Sequence, residues 1–204
     1  MVDRSMGRAR ALTLTVCLVL AVGCLVAYRF LSRGETSEDP IDLRAVDWRS
    51  IEIPGALCRS PEPIRLREGL AVNVPSEFDG PEPNMPQDVA ILMEEIFYGD
   101  ITGDDRDEAA LPVICGNHDS TAAGQRAMGV FVFDGSAQKL SVLGTLTSRE
   151  PRLGEPPNLL KVESMKSGRI TALDRFYLED DYNCCPSGEA RETWVYRQGR
   201  LAAR

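Results

Sequence analysis

Histidine is almost missing from this 204-residue chain, His118 being the only one. A single imidazole excludes histidine-rich zinc centres, and no C-x2-C pair is present to supply thiolates in their place. No G-x-S-x-G, G-x-x-x-x-G-K-[ST] or H-E-x-x-H stretch occurs, which removes the commonest signatures of serine hydrolases, P-loop NTPases and zinc peptidases. His118 lies in GNHDSTAAG beside Asp119, Ser120 and Thr121. Adjacent residues of one loop seldom reach triad geometry, so this stretch reads as an exposed polar loop. Positive charge is also scarce. Downstream of Arg33, 18 Lys plus Arg face 30 Asp plus Glu, a formal charge of −12. That sign argues against nucleic acid, whose binding relies on cations neutralising phosphates, and against lying flat on anionic lipid. Internal repeats and long low-complexity tracts are absent too, which excludes solenoid and array architectures.

What is present begins with a long apolar run. Residues 11–31 read ALTLTVCLVLAVGCLVAYRFL, with Arg29 the only charge. About twenty helical residues match a hydrocarbon core roughly 30 Å thick. Arg4, Arg8 and Arg10 against Asp3 favour keeping residues 1–10 in the cytoplasm and sending the remainder across. The expectation is a single-pass cell-membrane protein with an anchor over 11–31, a linker over 32–45 and an extracytoplasmic domain over 46–204. Two alternatives stand beside an uncleaved anchor: a cleaved signal, and lipidation at Cys24, which follows Ala21-Val22-Gly23. The apolar run continues through Cys24 to Leu31, which favours the spanning helix.

Four cysteines, Cys58, Cys115, Cys184 and Cys185, follow the apolar run. An even number in an exported chain suggests two disulfides. A bond between the immediate neighbours Cys184 and Cys185 would close a strained ring. The expected pairings therefore send one of them to Cys58 and the other to Cys115.

Strand-like runs cover Ser50 to Ile53, Leu70 to Val74, Ala109 to Cys115, Ala127 to Phe133, Leu140 to Thr145, Ile170 to Leu173 and Thr193 to Arg197. Asp134-Gly135-Ser136, Lys166-Ser167-Gly168 and Gln198-Gly199 punctuate them as turns, and the four prolines of Pro75 to Pro86 mark a surface loop. Short spacing without helical crossovers favours an antiparallel meander. The fold class is mainly β, with α+β as the alternative, because Gln87 to Phe97 (QDVAILMEEIF) fits a helix as well as a strand.

The most informative motif is YGDITGDDRDEAALPV, from Tyr98 to Val113, with five carboxylates inside nine residues. Calcium takes oxygen ligands from alternating positions of a tight loop, here Asp100, Thr102, Asp104, the Arg106 carbonyl and Glu108. Leu111 at the twelfth position excludes a complete EF-hand. The other reading is an acidic hairpin loop held by Arg106 and its own turn hydrogen bonds. The stretch resembles the calcium loops of FG-GAP and VCBS-type propeller blades, D-x-[DN]-G-D-G-x-x-D, followed by apolar residues and a VFDG turn such as Val130 to Gly135. It departs from them at Thr102, where a carboxylate or amide is usual, and at Asp105, where a glycine is usual. The resemblance implies a local strand, loop, strand unit with calcium as its cofactor. The order of anchor, acidic motif, Gly124-Gln125, VFDG turn and Cys184-Cys185-Pro186-Ser187-Gly188 is similar to actinobacterial envelope proteins near the LppP/LprE lipoproteins, which implies an envelope location.

These features point to a tethered envelope module that binds a partner or has a structural role, without catalysis. The alternative is an envelope hydrolase using carboxylates such as Glu94, Glu95, Glu179, Asp180 and Asp181 across a cleft. Trp48, Tyr182, Trp194 and Tyr196 are either core aromatics or the lining of a binding groove.

Overall fold

The computed structural model describes residues 40–77, 86–116, 124–135, 139–152 and 154–204. The apolar segment 11–31 with Cys24, most of the proline-rich loop and His118 with its neighbours lie outside the described residues. Among the described residues no helix is long and apolar enough to cross a membrane. Strand accounts for 51% and helix for 9% of them, the helical part consisting of single 3-10 turns, so the domain is mainly β.

Among the described residues twelve strands form three antiparallel sheets. A two-stranded sheet pairs β1 (Glu52–Ile53) with β2 (Ile64–Arg65). The central sheet runs β3 (Leu70–Val74), β4 (Gln87–Ile91), β6 (Glu108–Gly116), β7 (Gln125–Asp134), β8 (Ser141–Thr147), with β5 (Phe97–Gly99) also pairing β6. The last sheet is a meander of β9 (Leu159–Lys166), β10 (Arg169–Phe176), β11 (Gly188–Arg197) and β12 (Arg200–Ala203).

Strands β6 and β7 are apolar at nearly every position because both of their faces are covered. Leu111, Val113, Cys115, Phe131 and Phe133 point to one side. There they meet Leu43, Trp48, Ile51, Ile53, Cys58 and Leu66 of the N-terminal layer. The alternate residues Ala110, Val130 and Val132 point to the other side and pack on Leu160, Val162, Ile170, Ala172 and Trp194 of the meander. The N-terminal layer starts at Pro40, and Leu43 is buried in it. Residues 40–45, expected in the linker, therefore belong to the fold.

The Gln87 to Phe97 segment is not a helix. It makes β4, one 3-10 turn over Met93–Glu95, and then β5. Pro112 explains the interruption. Its carbonyl accepts from the Leu92 amide at 3.0 Å, so its nitrogen faces the same neighbour with no hydrogen to donate. β4 pairs with Val113 to Gly116 and β5 with Glu108 to Ala110, leaving the turn opposite the proline. Two-residue turns close β9–β10 at Ser167-Gly168 and β11–β12 at Gln198-Gly199. All four residues have positive φ, as such hairpins require.

Candidate functional site

The acidic loop spans residues 100–107 between β5 and β6, whose pairing ends at Gly99 opposite Glu108. Eight residues must reverse direction there, and Gly103 and Asp105 take left-handed backbone with φ of 84° and 62°. Asp100 and Asp104 answer donors that this reversal exposes. Asp100 accepts from the Gly103 amide at 2.7 Å and from the Asp105 amide at 3.2 Å. Asp104 accepts from the Arg106 amide at 3.1 Å and pairs with its guanidinium. That guanidinium holds the Asp104 carboxyl below its ordinary value, and Asp104 in turn raises Arg106.

Glu108 differs from the others because β6 carries it into the interior, where it is 1% exposed. One of its oxygens accepts from the amides of Ile101 at 2.8 Å and Thr102 at 3.1 Å. The other accepts from the Thr102 hydroxyl at 3.1 Å. Burial pushes its carboxyl above the ordinary value, and these hydrogen bonds only partly oppose the shift.

The five residues expected to surround a calcium ion thus divide into three groups: Asp100 with the loop amides, Asp104 with Arg106, and Thr102 with Glu108. Among the described residues no set of three or more Asp, Glu, Cys or His side chains could hold a metal ion. Asp100, Asp104 and Glu108 accept from the loop's own donors, and Asp107 is directed to Arg44 outside it.

A chain of contacts ties the loop to the N-terminal layer. Asp107 pairs with Arg44 at 2.6 Å, and the Arg44 guanidinium lies 4.6 Å from the centre of the Tyr98 ring. The Tyr98 hydroxyl accepts from the Trp48 indole nitrogen at 2.9 Å, and the Trp48 ring packs 5.2 Å from that of Phe133. Trp48 and Trp194 are therefore core residues, whereas Tyr182 is 83% exposed.

Both expected disulfide pairings are corrected. Cys58 is bonded to Cys115, with Cα atoms 5.5 Å apart and both residues fully buried. The bond joins the N-terminal layer to β6, because Cys115 is on the β6 face that meets this layer. Cys184 and Cys185 are bonded to each other in an exposed loop between β10 and β11. That loop is braced throughout. Asp181 accepts from the Leu178 amide at 2.8 Å and the Ser187 amide at 2.7 Å, which draw its carboxyl below the ordinary value. The Tyr177 hydroxyl donates to the Asn183 carbonyl at 2.9 Å.

One cluster had no signature in the sequence. Asp174 is completely buried on β10, and one of its oxygens accepts from Arg149 Nε at 3.0 Å while the other has no partner. Arg149 also reaches Glu192 at 3.7 Å and lies over the Phe176 ring. Its members are separated by 16 residues or more except for Asp174 and Phe176, so only the strand pairing brings them together. Comparison with protein-family models, with curated proteins and with solved structures finds no match to this chain.

Proposed function

We propose that this chain is a membrane-tethered module that works outside the cytoplasm and binds its partner through the loop over residues 177–187. The observation that carries the reading is a large exposed aromatic on a braced loop. Tyr182 is 83% and Leu178 46% exposed, between backbone amides fixed by Asp181 and the Cys184–Cys185 bond. Apolar side chains carried on a backbone fixed before binding cost less ordering entropy on contact, and aromatic anchors often contribute much of an interface's energy. The buried Cys58–Cys115 bond suits an oxidising compartment, and the apolar segment 11–31 supplies the means of reaching one.

A photoreactive phenylalanine placed at position 182 of the full chain in its native membrane tests this reading. A discrete adduct from position 182, absent from the same probe at the exposed Val72, supports it. Identical adducts from both positions, or none from 182, defeat it.

A further inference from the structure

The outward face of the β9–β12 meander is divided by charge. At one end its cations are paired: Arg175 with Glu189 at 3.3 Å and Arg191 with Glu163 at 2.8 Å. Thr171 and Thr193 lie opposite each other in the middle. At the other end, register places Lys166 opposite Arg169 and Arg197 opposite Arg200, with Val195 between Arg169 and Ala202. Directly paired residues share a face, as do residues two apart on a strand, so Arg204 joins this set as well. Five exposed cations therefore sit together on one face. Among the described residues none of the five makes an ion pair, although the chain has more acids than bases. Four of them, Arg169, Arg197, Arg200 and Arg204, line a depression of about 620 Å³.

Like charges directly opposite on neighbouring strands are unfavourable, and here two such pairs are adjacent with no acidic side chain paired to them among the described residues. A bound anion would supply the missing charge. The acidity of the rest of the domain limits what that anion can be. An extended polyanion or an acidic protein would carry much of its charge beyond the arginines and be repelled there, whereas a compact anion stays inside the cluster. A phosphate group offers oxygens in several directions to several guanidinium forks at once. A lone carboxylate has only two oxygens to share.

We propose that the Arg169–Arg197–Arg200–Arg204 depression is a binding site for a compact phosphate-bearing group, supplied by a soluble phosphate compound or by a lipid headgroup. The test titrates the full chain, in non-ionic detergent at constant ionic strength, with pyrophosphate. The expected result is saturable binding that Arg197→Gln with Arg200→Gln weakens on the order of tenfold or more, and that Arg191→Gln on the paired half leaves unchanged. An unaltered melting temperature without ligand shows that the double variant is folded. Mixed micelles containing phosphatidic acid, compared with micelles lacking it, distinguish the sources: displacement of pyrophosphate identifies a headgroup, and no displacement a soluble compound. No saturable binding at millimolar pyrophosphate, equal binding by the double variant, or binding of an oligoglutamate peptide alone would overturn the proposal.

Discussion

Glu108 closes the acidic loop on Thr102, one carboxylate oxygen taking the Thr102 amide and the other its hydroxyl. With the Ile101 amide as a third donor, this buried side chain fixes the point where the loop enters β6. Glu108→Ala leaves these donors without an acceptor and lowers unfolding stability by roughly 3 kcal/mol. Glu108→Gln retains the shape, an amide oxygen for the two backbone donors, and an NH2 for the Thr102 hydroxyl to accept. Chemical denaturation of the two variants separates these outcomes, and an equal loss in both would show that the charge itself holds the loop.

The same residue sets a pH dependence. The folded state raises the Glu108 carboxyl through burial, so it binds a proton more tightly than the unfolded chain does. Its contribution is greatest below the unfolded value and is lost as pH rises through the higher folded one. Asp104, lowered by Arg106, and Asp181, lowered by the Leu178 and Ser187 amides, act oppositely: their contributions are present above the ordinary carboxylate value and lost as pH falls. Subtracting the denaturation midpoints of Glu108→Gln from those of the parent chain, across mildly acidic pH, should leave a difference that declines as pH increases. A flat difference would mean that Glu108 titrates normally.

Millimolar calcium is expected to leave the melting temperature unchanged. Asp100, Asp104 and Glu108 already accept from the loop's own donors, and gathering them round an ion would break those bonds. A rise that disappears in Asp104→Ala would show instead that the loop reorganises around the cation.

How far the sequence revealed this fold varied with how regular each strand's pattern is. Leu70 to Val74 was bounded to the residue, and the apolar runs within β6 and β7 were plain because both faces of these strands are buried. β9 was missed. Register shifts where Ser164 pairs Thr171 but Val162 pairs Ala172, leaving Glu163 as an extra residue that breaks the period-two pattern. Gln87 to Phe97 stayed open between helix and strand because its helical spacing comes from a strand interrupted opposite Pro112, a partner 15 residues or more away. At the acidic loop the composition was visible, but the direction of each carboxylate was not. Asp104 turns to Arg106 two residues away and Glu108 turns inward, a distinction made by β6 and its burial. Disulfide connectivity depended in the same way on which sheet face Cys115 occupies.

The disulfide assignments have separate signatures. Protease mapping of the unreduced chain should yield one linked pair containing Cys58 and Cys115 and one short peptide in which Cys184 and Cys185 have lost two protons. A peptide joining Cys58 to either late cysteine would restore the discarded arrangement. Replacing Cys58 and Cys115 by alanine removes a bond that spans 57 residues, worth about 4 kcal/mol in the chain-entropy model, and adds a packing loss in the layer around Trp48. Replacing Cys184 and Cys185 closes no long loop and sits in solvent, so its effect on the melting temperature should be small by comparison.

At Gly99 the central sheet comes close against the meander. A Cβ built there would lie 2.2 Å from the Met165 carbonyl oxygen and 2.8 Å from the Met165 Cβ, and backbone at the end of β9 cannot move aside cheaply. Gly99→Ala must therefore separate β5 from β9 beside the loop, loosening the packing of Ile101 and Met165 in the core between the sheets. The expected loss is about 2 to 3 kcal/mol, the upper part of the usual overpacking range. Gly103→Ala provides the comparison. Its φ is 84° with no atom within 4 Å of the added carbon, so only left-handed strain remains, roughly 1 kcal/mol. Denaturation of both variants should rank Gly99→Ala as the more damaging. The reverse order would show that the two sheets yield at Met165 and that the loop, not the interface between sheets, is the rigid element.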